Sequence, residues 1–441
     1  MHERNIVAVI DGGGRGASLV HDYSRSPHVG QLIAIPGNDL MGINTEKPVD
    51  IFPSLRTTDV PAIVALCKES NVSLVDVPQD NAIAAGLVDA LQKAGIPTLG
   101  PTREAAEIEW NKAFARDLAD AENIPIPTYK VFSSVKQAEQ FLINHPDQPW
   151  FVKANGLAEG KGALPAKNND EAMRLIEEMK RFGNAGEVFL LEQWLEGEEF
   201  STFALCDGQT FKIIGSAQDH KRINNFDTGD NTGGMGASTP PLILTPEIMR
   251  EVETGILEKT VRHLSQVGRP YTGIIYVGGM IVVEAGKKRP YVIEYNARWG
   301  DPEKQVMHIE EDMFEVSMAA IEGNLHKTQI TVSGKSRVVI TGAARGYPGD
   351  YSQVKGKQIF GLDEARAREG VTIYSAGISR VEGKYYANGG RLLYVVGQGE
   401  NVIEARERAY LAMARISIDG NNLHYRTDIG WRDVARLRGE V

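Results

Sequence analysis

The first hundred residues alternate short, β-branched apolar runs with longer amphipathic ones, and this alternation constrains the fold more than any other feature of the chain. NIVAVID is followed by a glycine turn and SLVHDYSRS, and then come QLIAIPG, VPAIVALCKES, SLVDVPQ, AIAAGLVDALQKAG and IPTLGP. Strands separated by helix-length segments cannot close hairpins, so the pattern predicts βαβ units, a parallel sheet and helices packed outside it. Thr102 can cap a further helix carrying Ala106, Trp110, Phe114 and Leu118 at four-residue spacing, ending near Asn123 before the hinge-like IPIP. Beyond it, FVK, a glycine hairpin, ALPAK and an amphipathic helix through Ala172, Leu175, Ile176 and Met179 predict a small α+β unit. EVFLLEQWLEGEEFSTFALCDG reads as two strands around a short acidic turn, and TGIIYVGGMIVVE and RPYVIEYN as later strands. From about residue 336, SRVVITGAARGYPGDY begins a glycine-rich, strand-rich tail that ends in one helix, ENVIEARERAYLAMARI.

With 441 residues, the chain has material for two to four domains. Its 48 basic and 58 acidic residues leave a net charge of -10, which argues against coating nucleic acid and requires local groups to hold any anionic ligand. Cys67 and Cys206 are too few and too scattered for a disulfide framework or a thiolate zinc site, so a reducing, cytoplasmic setting is expected. The apolar run at the N-terminus, Ile6 to Ile10, is short, and no run approaches the ~18 residues that span a bilayer. Neither signal peptide nor membrane anchor is expected.

WFVKANGLAEGKG places Gly156, Gly160 and Gly162 between Lys153 and Lys161. Glycine lets backbone N–H groups approach anionic oxygens closely, and lysine neutralises them, so the stretch suits a phosphate chain as well as an ordinary turn. It is not a P-loop: the glycine spacing is one residue short, and Gly162 stands where Ser or Thr should be. In RPYVIEYNARWGDPE, strand alternation turns Glu294 and Asn296 to one face, with Arg298 next if the strand continues. A carboxylate and an amide oxygen so placed suit magnesium, and an adjacent arginine suits a phosphoryl group. In VFLLEQWLEGEEFSTF, a strand ending at Glu192 can offer backbone groups to an adenine edge, and Glu199 can accept ribose hydroxyls. QDHKRINNFDTGDNTGGMGAS carries Asp219, His220, Lys221 and Arg222 into a long polar loop, too polar for core, and reads as an active-site loop. Gly12, Gly14 and Ala17 satisfy G-x-G-x-x-A, a dinucleotide pattern for which Asp39 lies rather far as the ribose acid; Arg15 in the same turn equally suits a monophosphate.

Together, the glycine hairpin, the Glu192 to Glu199 turn and the Glu294, Asn296, Arg298 strand resemble the ATP-grasp fold. The runs AQDHKR, NTGGMG, GDPE, GYPGDY and NGGR, with RTDIGWR near the end, are similar to those of the phosphoribosylamine-glycine ligase (glycinamide ribonucleotide synthetase) family, in collinear order over essentially the whole chain. The resemblance implies an α/β chain in three parts: an N-terminal Rossmann-like substrate domain over 1–105, an ATP-grasp domain over 106–335 whose lid spans about 125–193, and a β-rich domain over 336–441. It implies ATP and Mg2+ (or Mn2+), small-molecule substrates, no nucleic-acid or membrane partner, and a monomer or small homo-oligomer. Lys112 and Lys153 would hold ATP phosphates under a lid formed by Gly156, Gly160, Lys161 and Gly162. Glu192 and Leu195 would frame adenine, Glu199 the ribose, and Glu294 and Asn296 the metal. Arg298, Asp219 and Lys221 are the expected catalytic groups. The other substrates would meet Gly14, Arg15, Pro78, Gln79, Asp219, Asn231, Gly233, Gly234, Met235, Gly300 and Asp301.

Departures cluster on the side where the family binds phosphoribosylamine. The usual Gly-Gly-Arg-Glu-His-Ala is here Gly13, Gly14, Arg15, Gly16, Ala17, Ser18, and Val77, Pro78, Gln79, Asp80, Asn81 stand in place of Gly-Pro-Glu. Asp230 replaces a usual proline, and Arg345 a usual glycine. Activation of a carboxylate by ATP is the expectation these departures leave untouched, whereas another amine or amino acid stays open as substrate. A non-catalytic nucleotide binder and a nicotinamide-dependent oxidoreductase are the readings from other classes.

Overall fold

The computed structural model describes residues 5–158 and 162–440. Strands β1 (Asn5–Val9), β2 (Val29–Ala34), β3 (Val49–Ile51), β4 (Leu74–Asp76) and β5 (Thr98–Leu99) form the expected parallel sheet in the order β3-β2-β1-β4-β5. Strand order reverses between β1 and β4, so the turn after β1 and the turn after β4 open side by side at the carboxyl edge, the place where such sheets bind ligands.

A second, antiparallel sheet is built from β6 (Tyr129–Phe132), β7 (Trp150–Ala154), β8 (Ala163–Ala166) and β9 (Phe189–Gln193), in the order β6-β9-β7-β8. β7 and β8 pair Lys153 with Ala163, so the glycine-rich run is the hairpin loop between them. Helix Asn169–Glu178, capped by Asn168 Oδ1, packs Ala172 and Ile176 against Trp150, Val152 and Leu191. These residues form a hydrophobic core distinct from that of the parallel sheet.

The largest sheet runs β16-β15-β10-β11-β14-β17-β22-β19, with β24 beside β17. Its strands are β10 (Glu198–Asp207), β11 (Phe211–Asp219), β14 (Gly236–Thr239), β15 (Thr272–Glu284), β16 (Lys287–Asn296), β17 (Ser336–Ala344), β19 (Val371–Ser375), β22 (Arg391–Gly399) and β24 (Leu423–His424). Between β11 and β14 lies the small hairpin β12 (Arg222–Asn224) and β13 (Thr228–Asn231). The pairing of β14 with β17 carries one sheet across the border expected at residue 336. Its apolar face meets the parallel sheet in a shared core that includes Leu19, Tyr23, Phe203, Tyr276, Trp299 and Tyr394.

Two local expectations are corrected. The helix expected from Thr102 to Asn123 is two helices, Glu107–Trp110 and Lys112–Ala121. Asn111 breaks it at φ -106°, ψ 83°, and its Oδ1 then caps the second helix by accepting from Phe114 N at 3.1 Å. The break is fixed by a contact distant in sequence, since Asn155 Oδ1 at the mouth of the glycine hairpin accepts from Ala113 N at 2.8 Å. The two strands expected around the acidic turn are β9 and β10, which belong to different sheets, with residues 194–197 as the connection between them. Finally, the tail ends in a second helix, Trp431–Arg438, beyond Val402–Met413.

Candidate active site

The site lies where the small sheet faces the open edge of the large one. β16 supplies Glu294 and Asn296 from its last turn-ward residues, past a bulge that sets Glu294 opposite Gly278 and Asn296 opposite Tyr276. Arg298 follows and braces the end of the strand: its Nη2 donates to Asn296 Oδ1 at 3.2 Å, and its Nε lies 3.5 Å from Glu109 Oε1. Glu109 Oε2 in turn accepts from Ala297 N at 2.8 Å. Because the broken helix starts afresh at Lys112, that lysine comes to the hairpin, with Nζ 3.4 Å from Gly156 O.

From the opposite side, β11 ends at Asp219 and the chain continues through Lys221, whose Nζ lies 3.2 Å from Glu199 Oε2 and 3.7 Å from Glu294 Oε1. Glu199, the second residue of β10, is about half exposed beside it. Burial drives the Glu294 carboxyl up, yet Lys221, Lys153, Lys112 and Arg298 together hold it below the usual range. The Glu199 carboxylate, more than any other group, holds the Lys221 ammonium well above its ordinary value. Burial draws Lys112 down against the pull of Glu294. Asp219 behaves oppositely to Glu294: burial, then the charge of Glu303, pushes it well above the carboxylate range. Its Oδ1 is enclosed and has no hydrogen-bond partner among the described residues.

An ionised carboxylate and an amide oxygen on one strand face fit a hard divalent cation of the magnesium class. Asn296 supports that fit, because Arg298 donates to its Oδ1 and so fixes the amide plane.

Several expected roles are corrected or sharpened. Glu192 is 1% exposed; the backbone expected to border adenine is untouched by this, but the carboxylate is used inside the protein, where it takes two bonds from Arg116, at 2.7 and 3.0 Å, and an ion pair from Lys153 at 2.5 Å. Arg116 and Lys153 overcome the effect of burial and hold its pKa at about 2. Only its neighbouring backbone and the linker residue Leu195 are left to border a planar ring. Arg15 is turned inward, with Nε bonded to Asp11 Oδ2 at 2.8 Å and Nη1 to Trp299 O at 2.9 Å, so it is not offered to a phosphate. Gly14 gives close approach to protein rather than ligand: a Cβ there would overlap the Tyr394 ring and reach Gln305 Nε2 at 2.7 Å. Met235 is fully buried, and Pro78 is buried behind the turn after β4. Gly300 serves the backbone, since a Cβ would meet Glu303 Cδ at 2.6 Å. Asp39, the distant dinucleotide acid, accepts from Arg380 N at 2.8 Å.

The remaining substrate-side residues gather. Asp301 Oδ2 takes Arg391 Nη2 at 2.9 Å, and Arg391 also bonds the carbonyls of Asp301 and Gly233. Gly233 N donates to Tyr347 Oη at 3.0 Å. Thus NTGGMG, GDPE, GYPGDY and NGGR, far apart in sequence, meet at one point. Gly234, at φ +109°, is required there, because a Cβ would press on Pro302 and lie 3.0 Å from Asp219 Oδ1. Asn231 is exposed on β13, and Gln79 heads the short helix after β4. Gly160 and Lys161 lie outside the described residues; Gly156 and Gly162 flank them, each packed where a Cβ would crowd Ala185 or Ala158. Sequence reasoning assigned no role to Arg116, Glu109, Glu303 and Arg391, although Glu303 and Arg391 close the quoted runs GDPE and NGGR, and Arg116 stands four residues after Lys112 on the same helix face.

The chain matches the three models of phosphoribosylglycinamide synthetase in order: the N domain over residues 5–109, the ATP-grasp (A) domain over 110–304 and the C domain over 337–432. It is 39% identical to a phosphoribosylamine–glycine ligase of Mesorhizobium japonicum over 98% of this chain and 99% of that one. It is 41% identical to the chloroplastic phosphoribosylamine–glycine ligase of Arabidopsis thaliana, over 96% of this chain and 79% of the other. Among solved structures, the crystal structure of phosphoribosylamine–glycine ligase from Thermotoga maritima aligns with a TM-score of 0.78 at 26% identity, covering 96% of this chain and all of that one. With its lysines and carboxylates gathered between a small hairpin-bearing sheet and a long antiparallel one, and with relatives matched from end to end, the chain belongs to the phosphoribosylglycinamide synthetase family.

Proposed function

We propose that this chain forms an amide from glycine and 5-phosphoribosylamine at the expense of ATP. The observation that carries the reading is the convergence of Lys112, Lys153 and Lys221 around the Glu294 carboxylate in the cleft between two sheets. Glu192 pairs with Lys153 and Glu199 with Lys221, so Lys112, together with a divalent cation held at Glu294, would supply the positive charge that a triphosphate neutralises.

Adenine enters between the sheets against the linker at Leu195, and Glu199 accepts ribose hydroxyls. Lys112 and Lys153 orient the phosphates; Glu192, ion-paired at 2.5 Å, fixes the Lys153 ammonium in place. Glu294 and Asn296 would hold the divalent cation, Mg2+ or Mn2+, which when bound neutralises phosphate charge and polarises the terminal phosphorus. A glycine carboxylate oxygen attacks that phosphorus, the bond to the ADP oxygen breaks, and an acyl phosphate forms. The amine of phosphoribosylamine then attacks the acyl carbon, phosphate departs, and the nitrogen loses one proton. No side-chain nucleophile is needed. Arg298 keeps Asn296 in place and contributes positive charge beside the transferring group, while Lys221 stays protonated next to it. Asp219, whose carboxyl burial and the charge of Glu303 push well above the carboxylate range, faces the same space with an unpartnered Oδ1. Closure of the segment between β7 and β8 over the phosphates would shield the acyl phosphate from water.

The test is incubation of the protein with ATP, magnesium, glycine and freshly generated phosphoribosylamine, with mass-spectrometric detection of the amide. Product formed only from a different amine would overturn the choice of acceptor while leaving carboxylate activation in place. ADP release that needs neither amino acid nor amine would overturn the ligase reading itself.

A further inference from the structure

Asp219 and Lys221 flank His220, and strand alternation sends the His220 side chain to the opposite face. There it is buried, 1% exposed, against the last segment of the chain. His220 Nε2 lies 3.1 Å from Gly430 N, a group that can only donate. Nε2 therefore carries the lone pair and Nδ1 the proton; Nδ1 lies 3.7 Å from Asp227 Oδ1, too far for a direct hydrogen bond, and 3.4 Å from Arg426 Nη2, so it meets the pair these two groups form.

Asp227 is itself held from below. Its Oδ1 accepts from Arg426 Nη1 at 2.8 Å, and its Oδ2 from Arg432 Nη2 at 2.6 Å. Arg426 is fully buried and makes a two-pronged pair with Asp428, at 2.8 and 2.7 Å, plus a bond to Arg222 O at 3.1 Å. Asp428 Oδ2 accepts from Phe226 N at 2.7 Å, and Asn225 and Thr427 exchange two bonds, at 2.7 and 3.0 Å. Phe226 and Asp227 are both in left-handed backbone, at φ +56° and +54°, a strained pair that stands only because these bonds over-determine it. The two arginines and two carboxylates balance in charge. RTDIGWR is thus not a passive tail: it clamps the underside of the loop whose upper side carries Asp219 and Lys221.

We propose that Asp227 and Arg426 are positioning residues for the ligation, acting through His220 to hold Asp219 and Lys221 against Glu199 and Glu294. The proposal rests on the reading that places those two groups in the active site. Asp227→Asn tests it, because asparagine tolerates the same left-handed backbone and removes only the charge. Expected are a fall in kcat of about tenfold or more at a temperature well below unfolding, a KM for ATP changed far less, a melting temperature lowered by the loss of the Arg426 and Arg432 pairs, and partial recovery of kcat in Asp227→Glu. A kcat within twofold of the parent overturns the proposal, as does a loss of activity that merely tracks a loss of thermal stability. The 15N signals of His220, assigned with His220→Gln, read the network without any substrate. The parent shows the Nδ1–H tautomer that Gly430 sets, and Asp227→Asn moves the Nδ1 resonance by removing the carboxylate 3.7 Å away; His220 15N signals indifferent to the substitution overturn the claim. A parent enzyme silent with glycine and phosphoribosylamine would instead refute the substrate reading, leaving the tautomer test intact.

Discussion

Replacing Glu192 by glutamine tests the charged cluster on which the nucleotide side of the cleft is built. Arg116 and Glu192 are 3% and 1% exposed at their side chains, and Lys153 is nearly as enclosed. Glutamine keeps the shape but leaves two buried cations without their shared anion. The magnitude follows from proton linkage. The Glu192 carboxyl falls from 4.5 to about 2 on folding, despite burial, because Arg116 and Lys153 favour its charged form. A depression of roughly 2.5 units at ~1.4 kcal/mol each corresponds to about 3 kcal/mol. Removing one member of a buried ion pair costs about 3–5 kcal/mol by the independent route of mutational experience, so the two estimates agree. Since the folded pKa is depressed, this stability is fully present above pH 4.5 and is lost as pH falls toward 2.

Urea unfolding, followed by tryptophan fluorescence to which buried Trp150 of the same small sheet contributes, reads the effect. Glu192→Gln should unfold with about 3 kcal/mol less free energy than the parent from pH 6 to pH 8, and the gap should narrow below pH 4.5. Equal stability of the two proteins at pH 7 would refute the reasoning, because the three side chains would then not share one electrostatic unit.

Other expectations follow from the same geometry. Glu294→Ala should abolish metal-dependent ADP formation, measured by coupled assay across a magnesium titration; near-normal turnover would remove the metal assignment. Asp76 is fully enclosed, and burial raises its carboxyl to about 7 from 3.8 although Tyr23 Oη donates to it at 2.8 Å. The folded state then keeps a proton that the unfolded chain has lost, so stability declines as pH rises from about 4 through 7. Asp76→Asn should flatten that decline and gain about 3–4 kcal/mol relative to the parent at pH 8, read from paired urea titrations; parallel pH profiles would count against it. Gly14→Ala should cost about 3 kcal/mol or more through overlap with the Tyr394 ring, seen as a lowered melting temperature.

Periodicity and glycine placement made most of the architecture legible. The parallel sheet, the hairpin holding the glycine run, and the strand bearing Glu294 and Asn296 each followed from local patterns of two or of 3.6 residues. What stayed hidden depends on partners far away in the chain. The break at Asn111 needs Asn155, and no propensity within residues 102–123 announces it. Arg15 reads locally as a phosphate ligand at a helix start, but its real partners are Asp11 and the carbonyl of Trp299, 284 positions on. Glu192 reads as the end of a strand, while its carboxylate is claimed by a helix and a strand on either side of it. An ionisable residue is visible in sequence; which neighbour uses up its charge is a tertiary fact.

The altered N-terminal turn follows the same logic. Gly16 stands where the family usually carries glutamate, and a Cβ there would lie 2.6 Å from Asp11 Cβ. Asp11 is in turn held by Arg15, whose second bond reaches Trp299, two residues before Asp301. The turn is therefore closed by its own side chains and welded to the GDPE segment. Polar groups for an acceptor are concentrated instead on the far wall, where Asp219, Asp301, Arg391 and Tyr347 converge on Gly233 and Gly234. The nucleotide half of the cleft, with Lys112, Lys153 and Glu294, shares none of the altered positions. On the proposed reading the two sets of side chains share only Asp219, so substitutions at Asp301, Arg391 or Tyr347 should change acceptor selectivity while leaving the first phosphoryl step near normal.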